Sequence, residues 1–162
     1  MKQACFQLPY HILTPGIDVL PEADARLIEA AKAATQTSYA PYSNFCVGAA
    51  VLLENGETVC GSNQENAAYP AGTGAERTAI HYANAKFPGV RPLAIAVAAR
   101  KASENGFLEQ PISPCGVCRQ VMIETQARFG KNLRVLLYGE KAIFELETAS
   151  VLLPFQFDSA SL

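Results

Sequence analysis

Residues Leu93 to Ala99 read Leu-Ala-Ile-Ala-Val-Ala-Ala, seven positions without a polar side chain. A run this short and this apolar is a strand covered on both faces, because a face open to water would impose alternation. Such a strand requires a layer on each side, and the flanking sequence supplies candidates. From Pro21 to about Ser38, Leu27, Ile28, Ala31 and Ala34 recur at helical spacing, with Pro21 suited to the first helical position and Pro41 closing the segment. Phe45 to Leu53 and Thr58 to Asn63 read as two strands joined at Asn55-Gly56, a hairpin signal because these residues tolerate positive φ. A second helix is expected over about residues 74–86, ended by Pro88-Gly89, and a third over about 115–129, stopped by Gly130. Leu133 to Tyr138 is another central strand, Ile143 to Leu146 a short one, and Thr148 to Leu153 a helical turn. The order α-β-β-α-β-α-β-β predicts one α/β domain with helices packed on a mixed sheet of roughly five strands.

The bulk properties narrow the function. A chain of 162 residues, 49% of them hydrophobic, holds one full core and is not disordered. A net charge of -2 without a Lys/Arg run argues against long nucleic acid as partner and suits a small neutral ligand. No stretch approaches the roughly 20 apolar residues of a membrane span. The first thirteen residues lack a signal-peptide apolar region, so a cytoplasmic location is expected. Five cysteines without regular spacing do not describe a disulfide framework.

Only Cys115 and Cys118 have a spacing that requires a reason. They form Pro114-Cys115-Gly116-Val117-Cys118, and Gly74-Ala75-Glu76-Arg77 lies upstream, both where a loop enters a predicted helix. Helix N-termini present free N–H groups and positive partial charge, which favour thiolates and a nearby anion. A Cys-x-x-Cys pair there is read as two zinc ligands, a redox pair or two core thiols. Glu76 likewise has two readings. Thr73-Gly74-Ala75-Glu76 matches a capping box, which needs no catalysis, and a buried carboxylate near a metal is also a proton carrier.

Taken together the chain resembles the small zinc-dependent cytidine deaminases over roughly residues 22–157. The matching stretches are Tyr39-Ala40-Pro41-Tyr42-Ser43-Asn44-Phe45, Val47-Gly48-Ala49-Ala50, Asn63-Gln64-Glu65-Asn66-Ala67, Ala75-Glu76-Arg77-Thr78-Ala79 and Ile112 to Gln120, with a weaker match at Leu152 to Phe157. The resemblance implies a three-layer α/β/α fold, a homotetramer, and hydrolytic deamination of cytidine or deoxycytidine in pyrimidine salvage. It implies Zn2+ on Cys115 and Cys118, and Glu76 as the proton shuttle from water to the pyrimidine ring nitrogen N3 and the departing amine. Asn63 and Glu65 would bind the ribose hydroxyls, their spacing of two placing both on one face of a strand end. Phe45 would pack beside sugar and base, the Ala75 N–H would hold the base carbonyl, and Phe157 would reach a neighbouring subunit's pocket. Arg77 and Arg119 would donate to the zinc-bound sulfurs.

One position departs from the pattern. Gly74 stands where the family carries its first zinc ligand, and glycine offers no donor. A catalytic zinc needs about three protein ligands plus water. His81 lies two helical turns away, about 10 Å at 1.5 Å per residue, and Cys46 should point to the opposite face of its strand from Phe45, so neither replaces the ligand. Weak or absent catalysis is expected. The alternatives are an inactive nucleoside-binding protein and a deaminase of a related aminonucleoside such as blasticidin S.

Overall fold

The computed structural model describes Met1, residues 3–158 and Leu162. Its centre is the expected apolar strand, which runs further than its apolar core: β4 spans Pro92–Lys101 and is buried from Ala94 to Ala99. It pairs antiparallel with β2 (Phe45–Leu53) along nearly its whole length and parallel with β5 (Arg134–Tyr138). The hairpin partner β3 (Thr58–Ser62) lies outside β2, and β6 (Ile143–Leu146) outside β5. In the hairpin turn Gly56 alone takes positive φ, and Asn55 does not. The sheet order is β1-β6-β5-β4-β2-β3.

The sixth strand, β1 (His11–Leu13), is absent from the sequence-based expectation of five. It has three residues, mostly exposed, and borrows its apolar contact from its neighbour, as where Tyr10 packs on Phe144 with ring centroids 5.2 Å apart. So short an edge strand carries no alternation to read.

Helices cover both faces, as the doubly buried β4 requires. On one side α1 (Glu22–Ala34) packs Leu27, Ile28 and Ala31 on Ala50, Ala94, Ala96 and Ala98. On the other, α2 (Ala75–Lys86) and α3 (Gly116–Phe129) pack Ala79, Ile80, Met122 and Ile123 on Val47, Ala49, Val51 and Val97. Alternate residues of β2 therefore serve different layers, which puts Cys46 away from the α2/α3 face that Val47 joins. Pro21 is the residue before α1 rather than its first residue, and the helix ends at Ala34, followed by a 3₁₀ turn over Thr35–Thr37. Gly130 ends α3 at φ +60° as expected.

This topology sets the site. Both β3 and β4 run antiparallel to β2, so they are parallel to one another. Each is followed by a loop and then a helix, α2 after β3 and α3 after β4. The N-termini of α2 and α3 are thereby brought to one end of the sheet, at the carboxyl ends of the parallel strands, where open α/β sheets form their crevices.

Candidate active site at two helix N-termini

A cavity of about 220 Å³ opens where α2 and α3 begin. Its wall includes Phe45, Asn63, Ala75, Glu76, Cys115 and Cys118, so six of the eight candidate residues gather in one place from four segments of the chain. Ile112 and Ser113 complete the wall beside Cys115. The sequence analysis counted both in a matching stretch but gave them no role, although Ser113 directly precedes Pro114.

Glu76 is 5% exposed and Cys118 fully buried, whereas Cys115 is exposed. The Cys118 thiol donates to Glu76 Oε2 at 3.2 Å. Burial, then the Glu76 charge and the neighbouring Cys115, push the Cys118 thiol far above its ordinary value, so without a metal it keeps its proton. The capping-box reading of Glu76 does not hold. The N-cap of α2 is Gly74 rather than Thr73, no side chain caps the helix, and the Thr73 hydroxyl points to the Gly74 carbonyl at 3.5 Å. Cys115 holds the equivalent position on α3, also without a side-chain cap bond. Two uncapped helix N-termini thus face one cavity, an arrangement that favours negative charge there.

Asn63 and Glu65 follow β3, which ends at Ser62; the chain runs on through Gln64, bridged to Tyr39 and Thr73, and both side chains reach back to residues 42–47. Asn63 turns into the cavity and ties down the start of β2: its Oδ1 accepts from Val47 N at 2.8 Å, and its Nδ2 donates to the Phe45 carbonyl at 2.8 Å. Each end of the amide retains one further hydrogen-bonding capacity. Glu65 faces a neighbouring cleft of about 360 Å³. There its carboxylate accepts from the Ser43 hydroxyl and from Tyr42 N at 2.9 Å, bonds that hold it below the usual carboxylate range. Phe157 lies in neither space. It is exposed, and its carbonyl accepts from Gln120 Nε2 at 2.7 Å.

The arginines also differ from expectation. Arg119 donates to the carbonyls of Pro114 and Leu152, at 2.7 and 2.8 Å. Arg77 donates through Nη2 to the Gly72 carbonyl at 2.7 Å, while its buried Nε has no partner. Neither makes a hydrogen bond to sulfur.

The donor set can be tested against zinc from the structure itself. Cys115 and Cys118 stand one helical turn apart at the start of α3, where thiolates are favoured, and fit two metal ligands. A third is missing. A side chain at position 74 would point into the cluster, since its Cβ would lie 2.7 Å from Cys118 Sγ and 3.1 Å from Glu76 Oε2. Gly74 leaves that direction without a donor. Among the described residues, the group of three whose ligand atoms all lie within 4.8 Å of one another is His11, Glu145 and Glu147, on the distant β1–β6 edge; Cys115, Cys118 and Glu76 do not form one. The residues present fit a metal held by two sulfurs and fall short of a three-ligand site.

A mixed sheet between two helical layers, with Cys-x-x-Cys and a buried Glu at adjoining helix N-termini, defines a zinc-deaminase-type domain. Comparison with known proteins is specific. The sequence matches the family model for the cytidine and deoxycytidylate deaminase zinc-binding region over residues 21–130, and the chain belongs to that family. It is 41% identical over 138 residues to a cytidine deaminase of Sporosarcina psychrophila, spanning 85% of this chain and 93% of the relative. It is 38% identical to a cytidine deaminase of Halalkalibacterium halodurans, spanning 84% and 95%. The crystal structure of a cytidine deaminase from Burkholderia pseudomallei superposes with a TM-score of 0.67 at 43% identity, covering 82% of this chain and 98% of that one.

Proposed function

We propose that this chain is a cytidine and deoxycytidine deaminase that adds water at C4 of the pyrimidine and releases ammonia, giving uridine or deoxyuridine, and that Gly74 slows it. The observation carrying this reading is the meeting of Glu76, Cys115 and Cys118 around one cavity in a chain that aligns with cytidine deaminases over most of its length. Cys115 and Cys118 would hold Zn2+, which would supply a Lewis acid able to activate water near neutral pH. Glu76, 5% exposed, accepts the proton of the attacking water and delivers it to N3 and then to the leaving amine. The Ala75 N–H, at the uncapped start of α2, binds the base carbonyl. Phe45 packs beside the base, and the free capacities of Asn63 bind the sugar. Glu65 borders the adjoining cleft and takes the far side of the ribose from there.

Exposed Phe155 and Phe157, at 84% and 57%, support a homotetramer in which Phe157 reaches a neighbouring subunit's pocket. Free cysteines throughout support a reducing, cytoplasmic setting and a role in pyrimidine salvage. No helix among the described residues is long and apolar enough to cross a membrane.

The test follows the loss of cytidine ultraviolet absorbance with zinc-loaded parent, Gly74→Cys and Gly74→Cys/Glu76→Gln proteins side by side. Turnover is expected to be slow in the parent and restored in Gly74→Cys. It should fall again by about 10²–10⁴-fold without the Glu76 carboxylate. Failure of Gly74→Cys to deaminate cytidine would overturn the substrate assignment. The missing donor favours a second reading, a protein that binds nucleoside without turnover, and that reading predicts cytidine affinity in the parent with no measurable rate.

A further inference from the structure

We infer that Ser43 is a positioning residue for the sugar of the nucleoside, its hydroxyl joining the Glu65 carboxylate to the backbone of Phe45 so that the two spaces they line receive one ligand in register. That role rests on reading Glu65 as the residue that takes a ribose hydroxyl.

The Ser43 hydroxyl makes two bonds whose directions are fixed by chemistry. It donates to Glu65 Oε1, which as a carboxylate oxygen only accepts. It accepts from Phe45 N at 3.1 Å, which only donates. Phe45 lines the 220 Å³ cavity, and Glu65 lines the 360 Å³ cleft that Ser43 also borders. One exposed hydroxyl therefore connects the wall of one space to the charge of the other.

Glu65 depends on this bond for its orientation. Its Oε2 accepts from Tyr42 N at 2.9 Å and from Ser43 N at 3.3 Å, backbone donors that a change of side chain at position 43 leaves in place. A carboxylate held through one oxygen still turns about that point, and the hydroxyl on Oε1 fixes its plane. The same hydroxyl is the first cause that keeps Glu65 ionised below its ordinary range. Ionised and fixed, the carboxylate only accepts, so the ligand group it recognises is a hydroxyl that donates.

Phe45 is held from both sides. Ser43 Oγ takes its N–H, and Asn63 Nδ2 donates to its carbonyl at 2.8 Å. Between Ser43 and Phe45, Asn44 turns the chain at φ +55°, a left-handed conformation that asparagine enters more readily than most residues. Asn44 N donates to the Ala40 carbonyl at 3.0 Å, and the Asn44 carbonyl accepts from Ala102 N at 2.8 Å. The turn is thus anchored without Ser43, and removing the hydroxyl releases Glu65 and Phe45 while the turn stands.

The probe is uridine, paired with dideoxyuridine, which lacks the ring hydroxyls of the sugar. Both are titrated by calorimetry into the full-length parent, Ser43→Ala, Ser43→Thr and Glu65→Gln proteins, and uridine keeps turnover out of the measurement. Ser43→Ala should weaken uridine about 10-fold, roughly the worth of one hydrogen bond to a charged group, and shift dideoxyuridine by less than about 2-fold. Ser43→Thr keeps the hydroxyl and should bind uridine as the parent does. Glu65→Gln should lose at least as much uridine affinity as Ser43→Ala. A loss in Glu65→Gln with none in Ser43→Ala overturns the positioning role and leaves the sugar reading intact. Equal losses for both ligands in Ser43→Ala also overturn it, because the hydroxyl then only supports the wall. Unchanged uridine affinity in Glu65→Gln, or no uridine binding by the parent, removes the sugar reading and the positioning role together.

Discussion

Two glycines on adjacent strands set how close each helical layer comes to the sheet, and changing them separates stability from catalysis. Gly61 on β3 stands opposite Ala49 of β2, facing α2, and an added Cβ would lie 2.4 Å from Ala79 N and 2.8 Å from the Ala75 carbonyl. Ordinary contact begins near 3.4 Å, so Gly61→Ala drives the α2 backbone outward by about 1 Å, the difference between 3.4 and 2.4 Å. Gly48 on β2 faces α1, where the same change puts Cβ 2.1 Å from the Ala31 carbonyl and displaces α1 instead. Overpacking of this kind costs about 1–3 kcal/mol, so both variants should unfold at lower urea, measured by circular dichroism. Their effects on activity should diverge. The first residues of α2 are Ala75 and Glu76, and moving a proton carrier by about 1 Å costs on the order of 10²-fold in rate. Gly48→Ala leaves those residues where they are. With both changes made in a Gly74→Cys background, kcat/KM for cytidine should fall about 100-fold for Gly61→Ala and stay within a few-fold for Gly48→Ala. Equal losses of activity, or no loss of stability in either, would refute the argument that these close approaches place the site.

Other outcomes follow from single contacts. Arg134 bridges Asp24, 3% exposed at the start of α1, and Glu145 on β6, at 2.7 and 2.6 Å. Arg134→Ala strands a buried carboxylate and should destabilise by about 3 kcal/mol in urea unfolding, with Asp24→Asn in the same chain recovering part of the loss. The Glu65 carboxyl lies below its ordinary value of 4.5, so its stabilisation is complete above that pH and is lost as pH falls through the lower folded-state value. Glu65→Gln should therefore lower thermal stability slightly at neutral pH and flatten the decline below pH 4.5, the two proteins converging in acid. In metal-free protein, brief iodoacetamide treatment should label exposed Cys115 and spare Cys118, which is 0% exposed, as read by peptide mass spectrometry; labelling of both at equal rates would contradict the burial.

How far the sequence revealed this molecule depended on whether a residue's role was local or shared. The strands β2 to β6 and all three helices were legible from local pattern and turn residues, most clearly in the apolar run within β4. β1 was not, since three residues, two of them exposed, become a strand only through the edge of β6. Within the site, Glu76 and the cysteine pair were legible as chemistry, but the choice between cap and catalyst was not. Thr73 and Glu76 have capping-box spacing, and only the helix boundary, one residue later than the box requires, releases the carboxylate from that task. The spacing of Asn63 and Glu65 did not reveal what anchors them, Val47 and Phe45 for the first and Ser43 and Tyr42 for the second, because those partners lie far back along the chain. Gly74 shows the same limit most sharply. Its lack of a donor is visible in the sequence, yet a glycine before a helix is commonly there for its backbone. Ordinary extended angles and a Cβ direction ending on Cys118 Sγ and Glu76 Oε2 show instead that the backbone does not require glycine there. The sheet and the two helices that frame the cavity stand independently of position 74, so Gly74→Cys tests the proposed chemistry on the same scaffold.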